Sequence, residues 1–402
     1  MRMIMNSLRP NHYIRNCKET IFTVLLREII SQNKLKLEKF IPYEYIHGLL
    51  SYPPRWDPNT DIFQYIKPDY LTKLQNKQAY FIFDSSTEGF SSTYEFPFFA
   101  MLYHNCENYN VDPAMVIFVS SNLRDENTLE NYAKEKNLKP INVFSFLSFE
   151  QVITIDERRR EEATKLQYET TQHFVQNQFQ DKYFSSLSRV YRHYRSLGTF
   201  LLCQSEIADK ALISHGVMPK VVPEIWLSTN NLNEFTKEDF IEWNDSLPLT
   251  VDHTDFDTNW AINTPYRHIH DQTLFQIVNE TLVQDWNETT LFYSEKSFRP
   301  IAHFQPFVIW GQKGCNKHLG NVGYRIYEDW FDLSFDDEPD NILRYKKLLA
   351  TVIDICKMLD SMSRDQKIEW RFKNKELLID NFTTMISSSY SRQKLLDFLI
   401  KI

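Results

Sequence analysis

Apolar residues fall along this chain in two recurring patterns. Short unbroken runs form the first: Ala79 to Phe83, Ala114 to Val119, Ile141 to Phe146, Leu274 to Val278 and Pro306 to Trp310. Runs of this length, rich in β-branched and aromatic residues, predict strands buried on both faces. The second pattern returns every three or four positions, as at Phe22, Leu25, Leu26, Ile29 and Ile30, and again across residues 341–362. It predicts amphipathic helices. Further helices are expected over 96–104, from about 122 to 136, over 197–202 and twice between 373 and 402. Lys182 to Ser188 and Ala211 to Ser214 read as two more strands, and Tyr324 to Tyr327 as another. Strands that alternate with helices predict parallel sheets with crossover helices. Residues 43–76 carry Pro53, Pro54, Pro58 and Pro68 and predict loops and short helices, while 219–265 read as irregular and acidic.

Around residue 151 the character changes. Asp156 to Glu162 reads DERRREE, and the polar helical stretch runs on to Gln180. It reads as the join between two halves, 1–175 and 176–402, with its arginines on a solvated helix face. The fold class expected is α/β: two Rossmann-like domains facing across a cleft, with helices at the C-terminal end.

In such sheets ligands bind at the carboxyl ends of strands, where helix N-termini present free N–H groups. Two charged clusters occupy such positions. One follows the strand at Lys182 to Ser188 and supplies Arg189, Arg192, His193 and Arg195. The other follows Ser294, a good N-cap residue, and supplies Glu295, Lys296 and Arg299. Guanidinium and ammonium groups converging there would neutralise a diphosphate and stabilise it as a leaving group. In the first half, Asp84 ends its strand and Glu88 lies in the loop beyond, where a general base would face the crevice.

Composition narrows the chemistry. The 402 residues hold only 8 glycines, and neither a GxGxxG nor a GxxxxGK[ST] loop occurs, so phosphate binding would fall to side chains. The net charge of −8 argues against a broad nucleic-acid surface. Five scattered cysteines without a CxxC pair support neither a disulfide framework nor a zinc knuckle, and point to a reducing compartment. No run approaches the length of a membrane span, and the N-terminus lacks the apolar core of a signal peptide. Two metal-binding patterns are weak rivals: Asp255-Phe256-Asp257, and His268-Ile269-His270-Asp271.

The ordered set of segments resembles the C-terminal domain of GT-B-type nucleotide-sugar glycosyltransferases, most closely the fucosyltransferase-like proteins of phage and bacterial genomes. The residues that carry it are KYFSSLSRVYRHYR from Lys182 to Arg195, LPLTVDHTDFD from Leu247 to Asp257, and Ile277 to Thr281. With them go Ser294 to Ile301, Gln305-Pro306-Phe307 and Gly323 to Asp336. The resemblance covers roughly residues 180–362, about half the chain. It implies Glu295 on the donor ribose, and Lys296 and Arg189 on the diphosphate. The sequence departs from the pattern at Ser188-Arg189-Val190, where Asn-Arg-Arg is usual, and at His215-Gly216, where serine and an aromatic are expected.

The function expected is transfer of a sugar from a nucleotide diphosphate-sugar to a hydroxyl of a glycan, a protein or a modified nucleobase in DNA, in the cytoplasm (a host's, if the chain is viral). No tightly bound cofactor or metal is expected. The alternative is a binding or structural protein of a virion or cell surface that keeps the fold without turnover.

Overall fold

The structure, a computed structural model, describes residues 21–33, 46–47, 58–86, 97–159, 182–188, 191–217, 231–251, 267–284 and 289–401. The chain divides into two compact units. The first comprises residues 1–151, 286–292 and 391–402; the second comprises 152–285 and 293–390. The division follows packing rather than chain order, since the last helix, Ser389–Lys401, returns to the first unit.

The first unit is built on a parallel sheet, β1 (Ile46–His47), β2 (Phe81–Ser85), β3 (Val116–Ser120) and β4 (Asn142–Ser145), in the order β1-β2-β3-β4. Alternate residues of each strand face opposite layers. Phe81, Phe83, Val116 and Phe118 pack under helices Phe98–Asn108 and Asp125–Glu135, with Phe83 and Phe118 stacked 5.8 Å apart. Ile82, Ile117, Val119 and Phe144 face the other way, onto Phe22 and Ile29 of helix Ile21–Gln32 and Leu395 and Leu399 of the last helix. Both faces are therefore covered, and this is why the strands read as unbroken apolar runs.

The second unit has the same frame: β5 (Phe184–Ser188), β6 (Ala211–His215), β7 (Phe275–Asn279) and β8 (Phe307–Trp310), all parallel in the order β6-β5-β7-β8. Helix His193–Cys203 crosses from β5 to β6, and helix Glu295–Ala302 from β7 to β8. Phe184 and Phe275 stack across neighbouring strands at 5.3 Å. Trp310 is buried against Tyr345 of the long helix Asn341–Asp360, 4.2 Å between ring centres.

Two expectations are corrected, and one helix is added. Tyr324 to Tyr327 is not a strand. Both tyrosines are buried, but the intervening backbone is satisfied by a side chain: Asn381 accepts from the Arg325 amide at 2.6 Å and donates to its carbonyl at 2.8 Å. The stretch 219–265 is not irregular throughout, because Lys237–Asp245 is helical behind a capping box of Thr236 and Asp239. A further helix, Arg364–Lys373, starts on a second capping box at Ser363 and Gln366, between the helices expected at 341–362 and beyond 373. No helix among the described residues is long and apolar enough to cross a membrane.

Candidate functional site

The site is built where β7 ends. Its five residues are buried, and the next, Glu280, is still buried, its amide bonded to the Trp310 carbonyl of β8 at 2.9 Å. Glu280 is only 1% exposed, and a buried carboxylate requires donors around it. It accepts from the Ser294 amide at 2.9 Å, the Ser297 hydroxyl at 2.7 Å and the Thr281 amide at 2.7 Å. Two of these donors belong to the start of helix Glu295–Ala302. Ser294 is the N-cap of that helix, and its hydroxyl accepts from the Lys296 amide at 3.3 Å. Glu280 thus holds the first turn of the helix against the end of β7.

That turn presents Glu295 and Lys296. Their side chains form an ion pair, 2.5 Å from Lys296 Nζ to Glu295 Oε1, with 22% and 14% of each side chain exposed. Lys296 Nζ also lies 3.3 Å from the Thr281 hydroxyl. Arg195 of helix His193–Cys203 brings a guanidinium nitrogen to the same hydroxyl, also at 3.3 Å. The approach of that helix depends on Gly198. A methyl group there would stand 2.2 Å from the Trp310 ring, so only glycine lets the helix lie this close to the sheet. Arg195 itself is 2% exposed.

Burial and mutual charge set the electrostatics. Burial lowers Arg195 to about 10, against the opposing pull of Glu280 and Glu295. Burial likewise lowers Lys296; Glu295 acts against it, and Arg195 adds to it. Burial pushes Glu295 upward, but the charges of Lys296 and Arg299 outweigh it and hold the carboxyl down to about 2. The site therefore has an ionised carboxylate at one edge and two cations meeting at a hydroxyl. An anion seated at Thr281 would face both cations at once.

Behind Arg195, Ser196 and His215 form a buried pair, 3.1 Å from Ser196 Oγ to His215 Nε2, while His215 Nδ1 lies 2.7 Å from the Gly216 carbonyl. Burial lowers the His215 pKa, the Gly216 carbonyl opposes that, and Arg195 adds to it. A neutral ring with its proton on Nδ1 fits both bonds, and it steadies the turn of the helix that carries Arg195.

The candidate residues thus separate. Arg195, Glu295 and Lys296 come together, with Arg299 acting on Glu295 through its charge. Arg192 is the exposed N-cap residue of its helix. His193 is exposed too, its Nδ1 2.7 Å from the Tyr191 hydroxyl. Arg189 lies outside the described residues, as does Glu88. Asp84 is the next-to-last residue of β2 in the first unit, 6% exposed, and accepts the Ser86 amide at 2.9 Å. Neither Glu280 nor Thr281 was assigned a role from the sequence. The available signal was two polar residues directly after a strand with no exposed face.

Among the described residues no group of three or more His, Cys, Asp or Glu side chains is placed to hold a metal ion. Asp255 and Asp257 lie outside the described residues. His270 is buried, stacked on His303 at 4.4 Å and hydrogen-bonded to Gln305. Compared with models of known protein families, with curated proteins and with solved structures, the chain finds no significant match.

Proposed function

We propose that the chain is a nucleotide-sugar-dependent glycosyltransferase whose second unit binds the donor. The observation that carries this reading is the convergence of Arg195 and Lys296, from two different crossover helices, on the hydroxyl of Thr281. Two cations at the carboxyl ends of parallel strands suit the diphosphate of a nucleotide-sugar, and Glu295 beside them suits a ribose diol. When the bond between the anomeric carbon and the diphosphate oxygen breaks, negative charge builds on that oxygen, and the cations favour this. The acceptor hydroxyl forms the new bond as that bond breaks, and its proton passes to a carboxylate base, for which Asp84 and Glu88 are the candidates. In this reading the two units are the halves of a GT-B-like enzyme acting in the cytoplasm. The acceptor is a hydroxyl of a glycan, a protein or a modified nucleobase.

Thermal unfolding with UDP, GDP, CDP and ADP tests the proposal. A ligand at a hundred times its Kd stabilises the folded state by about 2.7 kcal/mol. At least one nucleoside diphosphate is expected to raise the Tm, and Lys296→Ala to abolish both that shift and donor hydrolysis. A panel in which none raises the Tm overturns the reading.

A further inference from the structure

We infer that Glu280 is the positioning residue of the cationic site, fixing through its bonds to Ser294, Ser297 and Thr281 where Lys296 stands, with its carboxylate set behind Lys296 and Arg195. Three of the hydrogen bonds that reach its carboxylate come from two backbone amides and a hydroxyl, at 2.7–2.9 Å. Its charge is therefore not confined to one directly bonded cation. It acts on Lys296 and on Arg195 together, raising both against burial.

The groups facing Lys296 come from three elements. Glu295 lies on its own helix, Glu280 at the end of β7, and Arg195 on helix His193–Cys203. Glu295 is partly exposed and is itself a candidate to bind ligand. Glu280 is buried and tied to β8 through its amide, so it stays. Of the two acids it is the one fixed in place, and the Ser294 and Ser297 bonds couple it to the helix that carries Lys296. The inference depends on the glycosyltransferase reading only for what the cations bind.

The test uses the full chain without ligand. Competitive labelling of lysines with acetic anhydride from about pH 7 to 11, read by mass spectrometry at Lys296, gives the titration of that ammonium. Glu280→Gln keeps the shape and removes the charge. Its Lys296 titration is expected to move to lower pH, so labelling on the acid side of the curve rises roughly tenfold for each unit of movement. A folded Glu280→Gln variant with an unchanged Lys296 profile overturns the inference, because loss of a nearby negative charge moves the midpoint of the titration and not only the labelling rate. Should this variant fail to fold, Ser297→Ala decides. It removes one bond to the carboxylate without altering charge, and Lys296 labelling is expected to change at least about twofold as the carboxylate loosens. An unchanged rate there overturns the inference as well. Calorimetry of the wild-type chain with inorganic pyrophosphate separates the two readings. Absence of binding counts against the donor site and leaves the Lys296 titration to judge Glu280.

Discussion

The two units share a frame of four parallel strands, yet the carboxyl ends of those strands carry opposite chemistry. In the first unit the strand ends are hydroxyls, amides and acids that satisfy one another. Ser120 donates to Asp125 at 2.5 Å, and Asn122 donates to Asp125 at 3.0 Å while also binding the Thr289 carbonyl and the Leu291 amide. Glu126 takes the Ser145 amide and hydroxyl and pairs with Lys394 of the last helix at 2.8 Å. These groups fasten segments 289–292 and 389–401 to the sheet. In the second unit the same positions gather Arg195 and Lys296 at one hydroxyl, with Glu280 buried behind them. The frame determines where a site can form. Whether one forms depends on whether the charges there already hold neighbouring chain in place.

The largest effect on stability is expected where the strand ends act as a clasp. Asp125→Ala removes the acceptor for both the Ser120 hydroxyl and the Asn122 amide, and all three residues are buried. A buried donor left without a partner costs about 1–3 kcal/mol, and the Asn122 amide keeps its bond to the Thr289 carbonyl, so a loss of roughly 2 kcal/mol or more is expected in urea unfolding. On the proposed reading a nucleotide-induced shift would arise in the other unit and should survive in this variant. A loss under about 1 kcal/mol would mean that these bonds are not the fastening they resemble.

Next in size is Gly198→Ala. The added methyl would stand 2.2 Å from Trp310 Cζ3, and overpacking of this kind costs about 1–3 kcal/mol. The helix that must shift carries Arg195, so nucleoside diphosphate binding is expected to weaken as well. Trp310→Phe opens space at that ring. The double variant should therefore be more stable than the sum of the single changes predicts, as a double-mutant cycle would show. Additivity would place the cost elsewhere than at this contact.

The sequence made much of the frame legible and only part of the site. Runs such as Ala114 to Val119 read as strands because both faces of each sheet are covered, and Ser294 reads as a cap because its chemistry is local. β1 has only two strand residues and left no pattern. The strand expected at Tyr324 to Tyr327 does not form: its backbone finds no neighbouring strand among the described residues, and the Arg325 amide and carbonyl are instead bonded by Asn381, 56 positions away. Helix Lys237–Asp245 was hidden because it buries few residues, Phe240, Trp243 and Asn244, within an acidic stretch. Glu295 and Lys296 stood out as neighbours. Their meeting with Arg195 depends on Thr281, 86 positions from the arginine and 15 from the lysine, and nothing local to any of the three announces it. Glu280 is the extreme case, since an acid in sequence reads as exposed until packing surrounds it with donors.

The smallest expected effect concerns acid. Glu295 titrates near 2 in the folded chain against 4.5 ordinarily; burial works against this, and the nearby Lys296 and Arg299 charges outweigh it. A carboxyl whose folded value is depressed contributes stability that is fully present above its unfolded value and is lost as pH falls through the folded one. The contribution of Glu295 should therefore hold above about pH 4.5 and fade towards pH 2, with a size on the order of 1–3 kcal/mol. Glu295→Gln isolates it. The stability difference between wild type and variant, from urea unfolding at successive pH values, should stay flat above about pH 5 and shrink steadily below it. Asp125 offers a comparison, because it takes a hydroxyl and a side-chain amide as donors. A Glu295 difference that stayed constant down to about pH 3 would show that the cations of the second unit do not hold this carboxylate ionised, and the electrical distinction between the two sheets would fail at its most exposed point.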